Sequence, residues 1–442
     1  MRLSRGVFRS RWGVLLVIAG LLQVKLGAQA VQPSEARGAE IVPPGALPER
    51  PGVIYREAMH PLDMVRASFG NWSASELAAL TVSMRKAREA CEQAKIEVYA
   101  GDDLCDLARL CALGQSWPQA QGAAQQCILR GPEARRVHAY ATIANAEVQM
   151  RRLPDAQKTV LTLLRVMPYD AEVASTVLNM KIQLEQDANI GRTLELELAE
   201  QPAILEAIKR HSVLTEEHGD ALMSLGALYA SAMHLAFLQD YNRDKSSAVA
   251  TVASLDQAVA TGGSLGSEDA EIIERVRTQY RLLGAKLPAI EFKQALLSAT
   301  SKPEIDPDFG AATVLVLFPD WCASCREQMK TVTEFSRVNA DTPIRAYGLV
   351  FHDDFGVPEP KLVEPDWKDM DGTATLVVGS GTARSLGAMD FPFGVVLDHN
   401  GVVRFVGALP DNAFNGDGYI ELVLMRMAVN MATESALEGN KK

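Results

Sequence analysis

Apolar positions recur every three or four residues along residues 73–284, as at Leu77, Leu80 and Met84. This spacing places them on one face of a helix. After residue 286 the pattern changes to short apolar runs, of which Thr313 to Phe318 predicts a strand buried on both faces. The sequence therefore predicts a multidomain protein, in which an all-α region precedes an α/β domain at residues 286–434 and a tail at residues 435–442.

An internal repeat organises the helical region. Residues 117–132 match residues 153–168 at a constant offset of 36, and each copy begins with an apolar residue followed by proline and ends with proline. Each unit reads as helix, turn and helix. The repeats resemble the tetratricopeptide family, which implies antiparallel helix pairs that bind a protein client. We expect a third pair within residues 220–260; the alternative is an irregular bundle containing one duplicated hairpin.

The N-terminus has the pattern of an export signal. Four arginines precede an apolar stretch, Trp12 to Leu22, which ends near the small residues Ala28 and Ala30. This order predicts a signal peptide at residues 1–30, cleaved after Ala30, or alternatively retained as a membrane anchor. We expect a proline-rich linker at residues 31–72 and a periplasmic or other extracytoplasmic location, tethered if the signal is retained.

The charge of the chain excludes some partners. The formal net charge is −11, and removal of the signal peptide, which holds five basic residues and no acidic residue, takes it to −16. A surface this acidic disfavours nucleic acid and anionic lipid. We therefore expect no nucleic-acid partner.

Four of the six cysteines lie in the helical region: Cys91, Cys105, Cys111 and Cys127. In an exported protein such cysteines typically form structural disulfides, and four cysteines allow three connectivities. Pairing of Cys91 with Cys105, or of Cys111 with Cys127, would clip adjacent helices. The alternative is that they are small buried residues with free thiols.

The other two cysteines form a CxxC motif, Cys322-Ala323-Ser324-Cys325. It follows the predicted strand directly, and the apolar spacing after it predicts a helix, so Cys322 stands at a helix N-terminus. The partial positive charge there lowers the pKa of a thiol and stabilises the reactive thiolate. Cys322 is thus the candidate nucleophile, and Cys325 the thiol that resolves the mixed disulfide.

The motif and a downstream segment resemble the thioredoxin superfamily, in particular TlpA-like periplasmic thioredoxins. The matching residues are the strand before the motif, Trp321-Cys322-x-x-Cys325, the start of the following helix, and residues 387–403 with Phe391-Pro392. The resemblance implies a cis proline facing the cysteines and a substrate groove formed by Trp321, Phe391 and Pro392.

Further elements of this domain follow from the residues themselves. The dipeptide Asn400-Gly401 between two apolar runs, residues 395–397 and 402–406, predicts a β-hairpin. We also predict a middle strand at residues 346–351 and a final helix at residues 418–432.

Several residues depart from the thioredoxin pattern. Val316 occupies the position where the family has a buried aspartate, so proton transfer would need Asp320 or water. Ser324 and Asp320 are candidates for tuning the cysteines, and residues 353–373 read as a surface insertion. A zinc site would need two more ligands, and we expect the two histidines of this domain, His352 and His399, to lie at the surface.

These observations predict an exported thiol–disulfide oxidoreductase that acts on protein disulfides, in the reducing direction, with Cys322 and Cys325 as catalytic residues. We expect protein thiol or disulfide clients bound through the helical repeats, a membrane electron donor, and no metal or cofactor. The alternative is an interaction scaffold whose thioredoxin fold has little turnover. The oligomeric state is left open by the sequence.

Overall fold

A computed structural model describes the chain from residue 49 onward, with gaps. The described ranges are 49–68, 74–165, 169–186, 190–211, 223–263, 265–297, 312–322, 325, 329, 344–352, 374–409, 425 and 427–434. The predicted signal peptide, most of the predicted linker, the insertion at residues 353–373 and the tail lie outside these ranges. Where the chain is described, no helix is long and apolar enough to cross a membrane.

The chain divides into two compact units, Met1–Gln183 and Leu184–Lys442. The described part of the first unit is helical. Its α-helices are α1 (Pro51–Ser68), α2 (Ala74–Gln93), α3 (Asp102–Leu113), α4 (Trp117–Arg130), α5 (Arg136–Gln149), α6 (Leu153–Leu163) and α7 (Ala171–Gln186, which crosses into the second unit), with short 3₁₀ turns at Ile96–Val98 and Glu133–Arg135.

Helix α1 falls inside the segment predicted to be a linker, so the linker prediction is wrong for residues 51–68. Its first residue is Pro51, and proline fits the first turn of a helix because the backbone N–H it lacks would be unpaired there. Ala58 and Leu62, one turn apart, are 2% and 0% exposed. The prolines that suggested a linker therefore belong in part to a packed helix.

The repeat seen in the sequence corresponds to a turn that recurs at helix ends in the structure. At three helix ends of the described helical region a residue other than glycine has positive φ and is followed by a backbone N–H that donates to the carbonyl five residues earlier, a Schellman motif. The positive-φ residues are Gln115, Arg151 and Arg243. The long bonds run from Ser116 to Cys111, from Arg152 to Glu147 and from Asp244 to Gln239, at 2.8–2.9 Å. The first two turns are 36 residues apart, the offset seen in the sequence.

The second and third of these hairpins share a further contact. Thr159 Oγ1 donates to Glu147 Oε2 at 2.7 Å, and Thr251 Oγ1 donates to Gln239 Oε1 at 2.8 Å. In both cases the residue at the helix end is joined to the threonine twelve positions later, on the next helix. The turn and the side-chain contact together define one hairpin geometry that recurs along the described chain.

Two disulfides cross-link the helices of the first unit. Cys91 is bonded to Cys111 and Cys105 to Cys127, and all four residues are buried. The pairings Cys91–Cys105 and Cys111–Cys127 considered above are therefore wrong. The physical reason is that α3 is joined to both of its neighbouring helices. Its Cys105 is bonded to α4 and its Cys111 is bonded to α2.

The second unit contains further helices and a mixed sheet. The helices are α8 (Ile190–Lys209), α9 (Leu225–Tyr241), α10 (Lys245–Thr261), α11 (Ser267–Leu282) and α12 (Gly381–Ser385), and the strands are β1 (Phe292–Leu297), β2 (Ala312–Pro319), β3 (Ile344–Phe351), β4 (Ala374–Val378), β5 (Phe393–Leu397) and β6 (Val403–Ala408). Residues 427–434 are helical at the end of the predicted final helix. A helical region followed by an α/β part is thus confirmed.

Within the described ranges the sheet has the order β1-β4-β3-β2-β5-β6. β2 pairs parallel with β3 and antiparallel with β5, and the hairpin of β5 and β6 is confirmed. All eight residues of β2 are buried, as the continuous apolar run predicts. Two strands were not predicted, β1 and β4, which form an antiparallel pair at the other side of β3.

Helices α9 and α11 pack against the sheet within the second unit. The ring of Tyr241, at the end of α9, stacks on Phe405 of β6 with centroids 6.5 Å apart. After α11 the chain runs along β6, where Gly284 N donates to Val403 O and Val403 N donates to Ala285 O. The last helices before residue 285 therefore share one compact unit with the sheet.

Removal of the Cys105–Cys127 disulfide should destabilise the first unit. The bond spans 22 residues, for which loss of the cross-link lowers the free energy of unfolding by about 3 kcal/mol. Urea denaturation of a Cys105→Ser, Cys127→Ser variant, followed by far-UV circular dichroism, measures this change. The control is Cys322→Ser, Cys325→Ser, which leaves both helical disulfides in place; equal denaturation of the first unit in both variants would contradict the prediction.

Candidate functional site

The candidate site begins where β2 ends. Asp320, Trp321 and Cys322 follow Pro319, the last residue of the strand, and Cys322 N donates to Pro319 O at 3.0 Å in a tight turn. Cys325 is helical. The strand is buried along its whole length, so the turn and its cysteine are fixed by the core of the sheet.

The two cysteines of the motif are joined by a disulfide. Cys322 is 6% exposed and Cys325 is 0% exposed, so the first cysteine is the one that reaches solvent. The backbone N–H of Cys325 donates to Cys322 Sγ at 3.2 Å. A backbone amide aimed at this sulfur would stabilise negative charge on it once the disulfide is reduced.

The segment Phe391-Pro392 reaches the same edge of the sheet. The peptide bond between these residues is cis, and Phe393, the next residue, pairs with Leu317 of β2. Because β5 is antiparallel to β2, its beginning lies beside the end of β2, where the cysteine turn starts. Pro392 is buried, and its carbonyl accepts from Leu409 N at 2.8 Å.

Aromatic side chains border this edge. Trp321 is 57% exposed, although it stands directly before a buried cysteine. The ring of Phe391 packs on that of Phe351, the last residue of β3, with centroids 5.2 Å apart. The predicted groove residues Trp321, Phe391 and Pro392 are thus attached to the converging ends of β2, β3 and β5.

A partly buried pair of polar side chains lies at the start of the turn. His352 Nδ1 is 2.7 Å from Asp320 Oδ2, and the two side chains are 11% and 9% exposed. The backbone holds the pair in register, because Pro319 is opposite Phe351 and Asp320 N donates to Phe351 O at 3.0 Å. The side chain of His352 is mostly covered, so the prediction that it lies at the surface is wrong. Local sequence pattern could not reveal this, because the partner Asp320 lies 32 residues earlier in the chain.

The remaining predicted residues are placed as follows. Val316 is fully buried in the middle of β2, at the position where the family pattern has an aspartate. Ser324 lies outside the described residues. Asp390 stands two residues before Pro392, and loss of hydration raises the pKa of its carboxyl, a signal that sequence reasoning missed.

In the part of the chain that the structure describes, no group of three or more His, Cys, Asp or Glu side chains could hold a metal ion. His399 lies in the hairpin turn at the opposite end of β5, where its Nε2 contacts Asn400 Nδ2 at 2.8 Å. The site therefore consists of the cysteine pair, the Asp320–His352 pair and the aromatic and proline residues around them.

Comparison of the chain with protein-family models and with curated proteins gave no match.

Loss of the His352 ring should destabilise the sheet. His352→Ala leaves the partly buried carboxylate of Asp320 without this partner, which costs about 1–3 kcal/mol of unfolding free energy. Asp320→Asn should cost less, because the amide oxygen can still accept from Nδ1. Chemical denaturation followed by tryptophan fluorescence compares the two.

The matched control for this pair is His399→Ala, a histidine of the same sheet region but at the far end of β5. We expect its unfolding free energy to stay within about 0.5 kcal/mol of wild type. If His352→Ala were as stable as His399→Ala, the Asp320–His352 pair would contribute nothing measurable to the stability of the site.

Proposed function

We propose that the protein is an exported thiol–disulfide oxidoreductase whose reacting groups are Cys322 and Cys325. The observation that carries the proposal is the Cys322–Cys325 disulfide at the end of a fully buried strand, in the turn that leads into a helix. A disulfide that closes three residues adds little to the stability of a fold, because the loop it constrains is short. Its position fits reversible redox chemistry better than cross-linking.

The sheet supports the finer proposal that residues 286–434 form a thioredoxin-type domain. The strand before the cysteines is flanked by a parallel strand on one side and by the antiparallel hairpin on the other. The cis bond before Pro392 stands at the start of that hairpin. Both features are those that the resemblance of Trp321-Cys322-x-x-Cys325 and residues 387–403 implies.

In the reducing direction the reaction proceeds by two exchanges. The thiolate of Cys322 attacks one sulfur of a client disulfide, a new S–S bond joins protein and client, and the other client sulfur leaves as a thiolate that takes up a proton. Cys325, deprotonated, then attacks Cys322 Sγ, which restores the Cys322–Cys325 disulfide and releases the second client thiol. Overall the client gains two electrons and two protons, and the protein loses them.

Two observations support these roles for the cysteines. Cys322 is the more exposed cysteine and its Sγ accepts from the backbone N–H of Cys325, whereas Cys325 has no exposed surface. This difference favours attack by Cys322 on an outside disulfide. Trp321 and Phe391, with Pro392 between the ends of the strands, supply an apolar surface for an unfolded or extended client segment next to it.

The helical hairpins are proposed to hold the client as tetratricopeptide-type repeats. The recurrence of the Schellman turn at residues 115, 151 and 243 supports a repeated architecture. Two further disulfides, in a chain with an N-terminal export pattern, support a location where disulfides persist. There, a reductase must be recharged by a membrane electron carrier, because the cytosolic thiol pools are absent.

Substitution of the two cysteines tests this function. In an insulin reduction assay with dithiothreitol as donor, Cys322→Ser should lower turnover at least about a hundredfold, because the attacking sulfur is lost. Cys325→Ser should also stop turnover but should accumulate a mixed disulfide with the client, which mass spectrometry detects, since the resolving thiol is missing.

Each cysteine variant is the control for the other, since both lose the Cys322–Cys325 disulfide and only one keeps the attacking sulfur. A wild-type protein without turnover, or a Cys322→Ser variant as active as wild type, would contradict the proposal and favour a scaffold built from the helical hairpins.

A further inference from the structure

The segment before the cis proline is held in place by hydrogen bonds with helices. Residues 386–392 connect α12 to β5, and Leu386 and Ala388 are 0% and 3% exposed. Its backbone N–H groups bond back to α12: Gly387 N donates to Arg384 O and Ala388 N donates to Ala383 O. The carbonyl groups of residues 387 and 388 have no strand partner, and buried carbonyls need one.

Helix α11 supplies the partners. Gln279 Nε2 donates to Gly387 O at 2.8 Å, in a fully buried contact, and Arg275 Nη1 donates to Ala388 O at 2.9 Å. These side chains are four residues apart and therefore lie on one face of the helix. Arg275 is in turn oriented by Glu271, whose Oε1 accepts from its Nη2 at 3.0 Å.

The backbones also approach closely at this point. Gly387 has φ +72°, and a Cβ atom there would lie 2.5 Å from the carbonyl oxygen of Arg275. Only glycine fits both this conformation and this contact. The loop is therefore seated directly on α11, with two side-chain hydrogen bonds to successive carbonyls.

We propose that Arg275 and Gln279 are positioning residues for substrate binding, which act by fixing the loop that carries Phe391 and Pro392. The inference rests on the proposed function, since it assigns the client-binding edge to this loop. A client segment that docks against Pro392 meets a backbone whose place is set by α11, a helix of the region that sequence pattern separates from the redox domain. The redox site thus includes a helical face that lies more than a hundred residues before the loop in the chain.

The first experiment measures substrate affinity. Gln279→Met keeps the length of the side chain and removes its donor. Arg275→Met removes the guanidinium donors and keeps only the length of the aliphatic stem. Loss of one hydrogen bond to a buried carbonyl should raise KM for insulin about fivefold to tenfold. The kcat should change less than about twofold, because loss of binding that is equal in the ground state and the transition state raises KM alone. The rate at which reduced Cys322 reacts with the small disulfide 5,5′-dithiobis(2-nitrobenzoate) should also change less than about twofold, because this reagent needs no docked segment.

Two further variants separate positioning from mere support of the fold. Arg275→Lys retains a donor and should restore KM to within about twofold of wild type. Arg281→Met removes an exposed arginine of the same helix, whose partner is Glu274, and should leave all three quantities unchanged. Equal KM values in Gln279→Met and Arg281→Met would overturn the proposal. A rise in KM accompanied by comparable falls in kcat and in small-disulfide reactivity would also overturn it.

The second experiment does not depend on turnover. Hydrogen exchange at the amides of residues 386–388 should accelerate about tenfold in Gln279→Met and stay at the wild-type rate in Arg281→Met. Unchanged exchange in Gln279→Met would overturn the proposed hold on the loop, whatever the activity of the protein. Accelerated exchange in a protein that reduces no disulfide would contradict the proposed function, and with it the assignment of a substrate-positioning role.

Discussion

The burial of β2 is the constraint on which the site depends. This strand is covered along its length and is bonded on both sides, to β3 in parallel and to β5 in antiparallel orientation. Because the two neighbours run in opposite directions, the end of β3 and the beginning of β5 meet at the end of β2. The cysteine turn, the Asp320–His352 pair and the cis Phe391-Pro392 bond all follow from that one meeting point. A shift of register by one residue would place apolar side chains of β2 on different neighbours and would separate these groups.

The hairpins of the helical part obey a different constraint, because each helix must end and the chain must reverse direction within three residues. The Schellman motif does this by satisfying the last carbonyl groups of a helix with the backbone of the turn. It normally uses glycine, whereas here Gln115, Arg151 and Arg243 adopt the left-handed conformation at a modest cost in backbone energy. Cross-linking by Cys91–Cys111 and Cys105–Cys127 adds stability to the first hairpins, where the interior is formed largely by small residues.

Sequence reasoning recovered the elements with a strong local signal: the apolar run of β2, the Asn400-Gly401 hairpin and the 36-residue repeat. It missed features decided by distant partners. The burial of His352 depends on Asp320, and the disulfide connectivity depends on how α3 lies between α2 and α4. Strand β1 was missed because Phe292 to Leu297 mixes polar and apolar residues without strict alternation, and α1 because its prolines suggested an extended segment. The contacts of α11 with Gly387 and Ala388 leave no pattern in the sequence, since each is a single long-range bond.

The central claim is that Cys322 and Cys325 exchange electrons reversibly with a thiol pair. Its most direct test is the reduction potential of this pair, measured by equilibration of the full chain with glutathione or dithiothreitol buffers and followed through the fluorescence of the exposed Trp321. The account predicts a reversible two-electron couple near that of thioredoxin, about −270 mV. A pair that does not cycle would contradict the redox function, and a potential near about −120 mV would contradict the reducing direction.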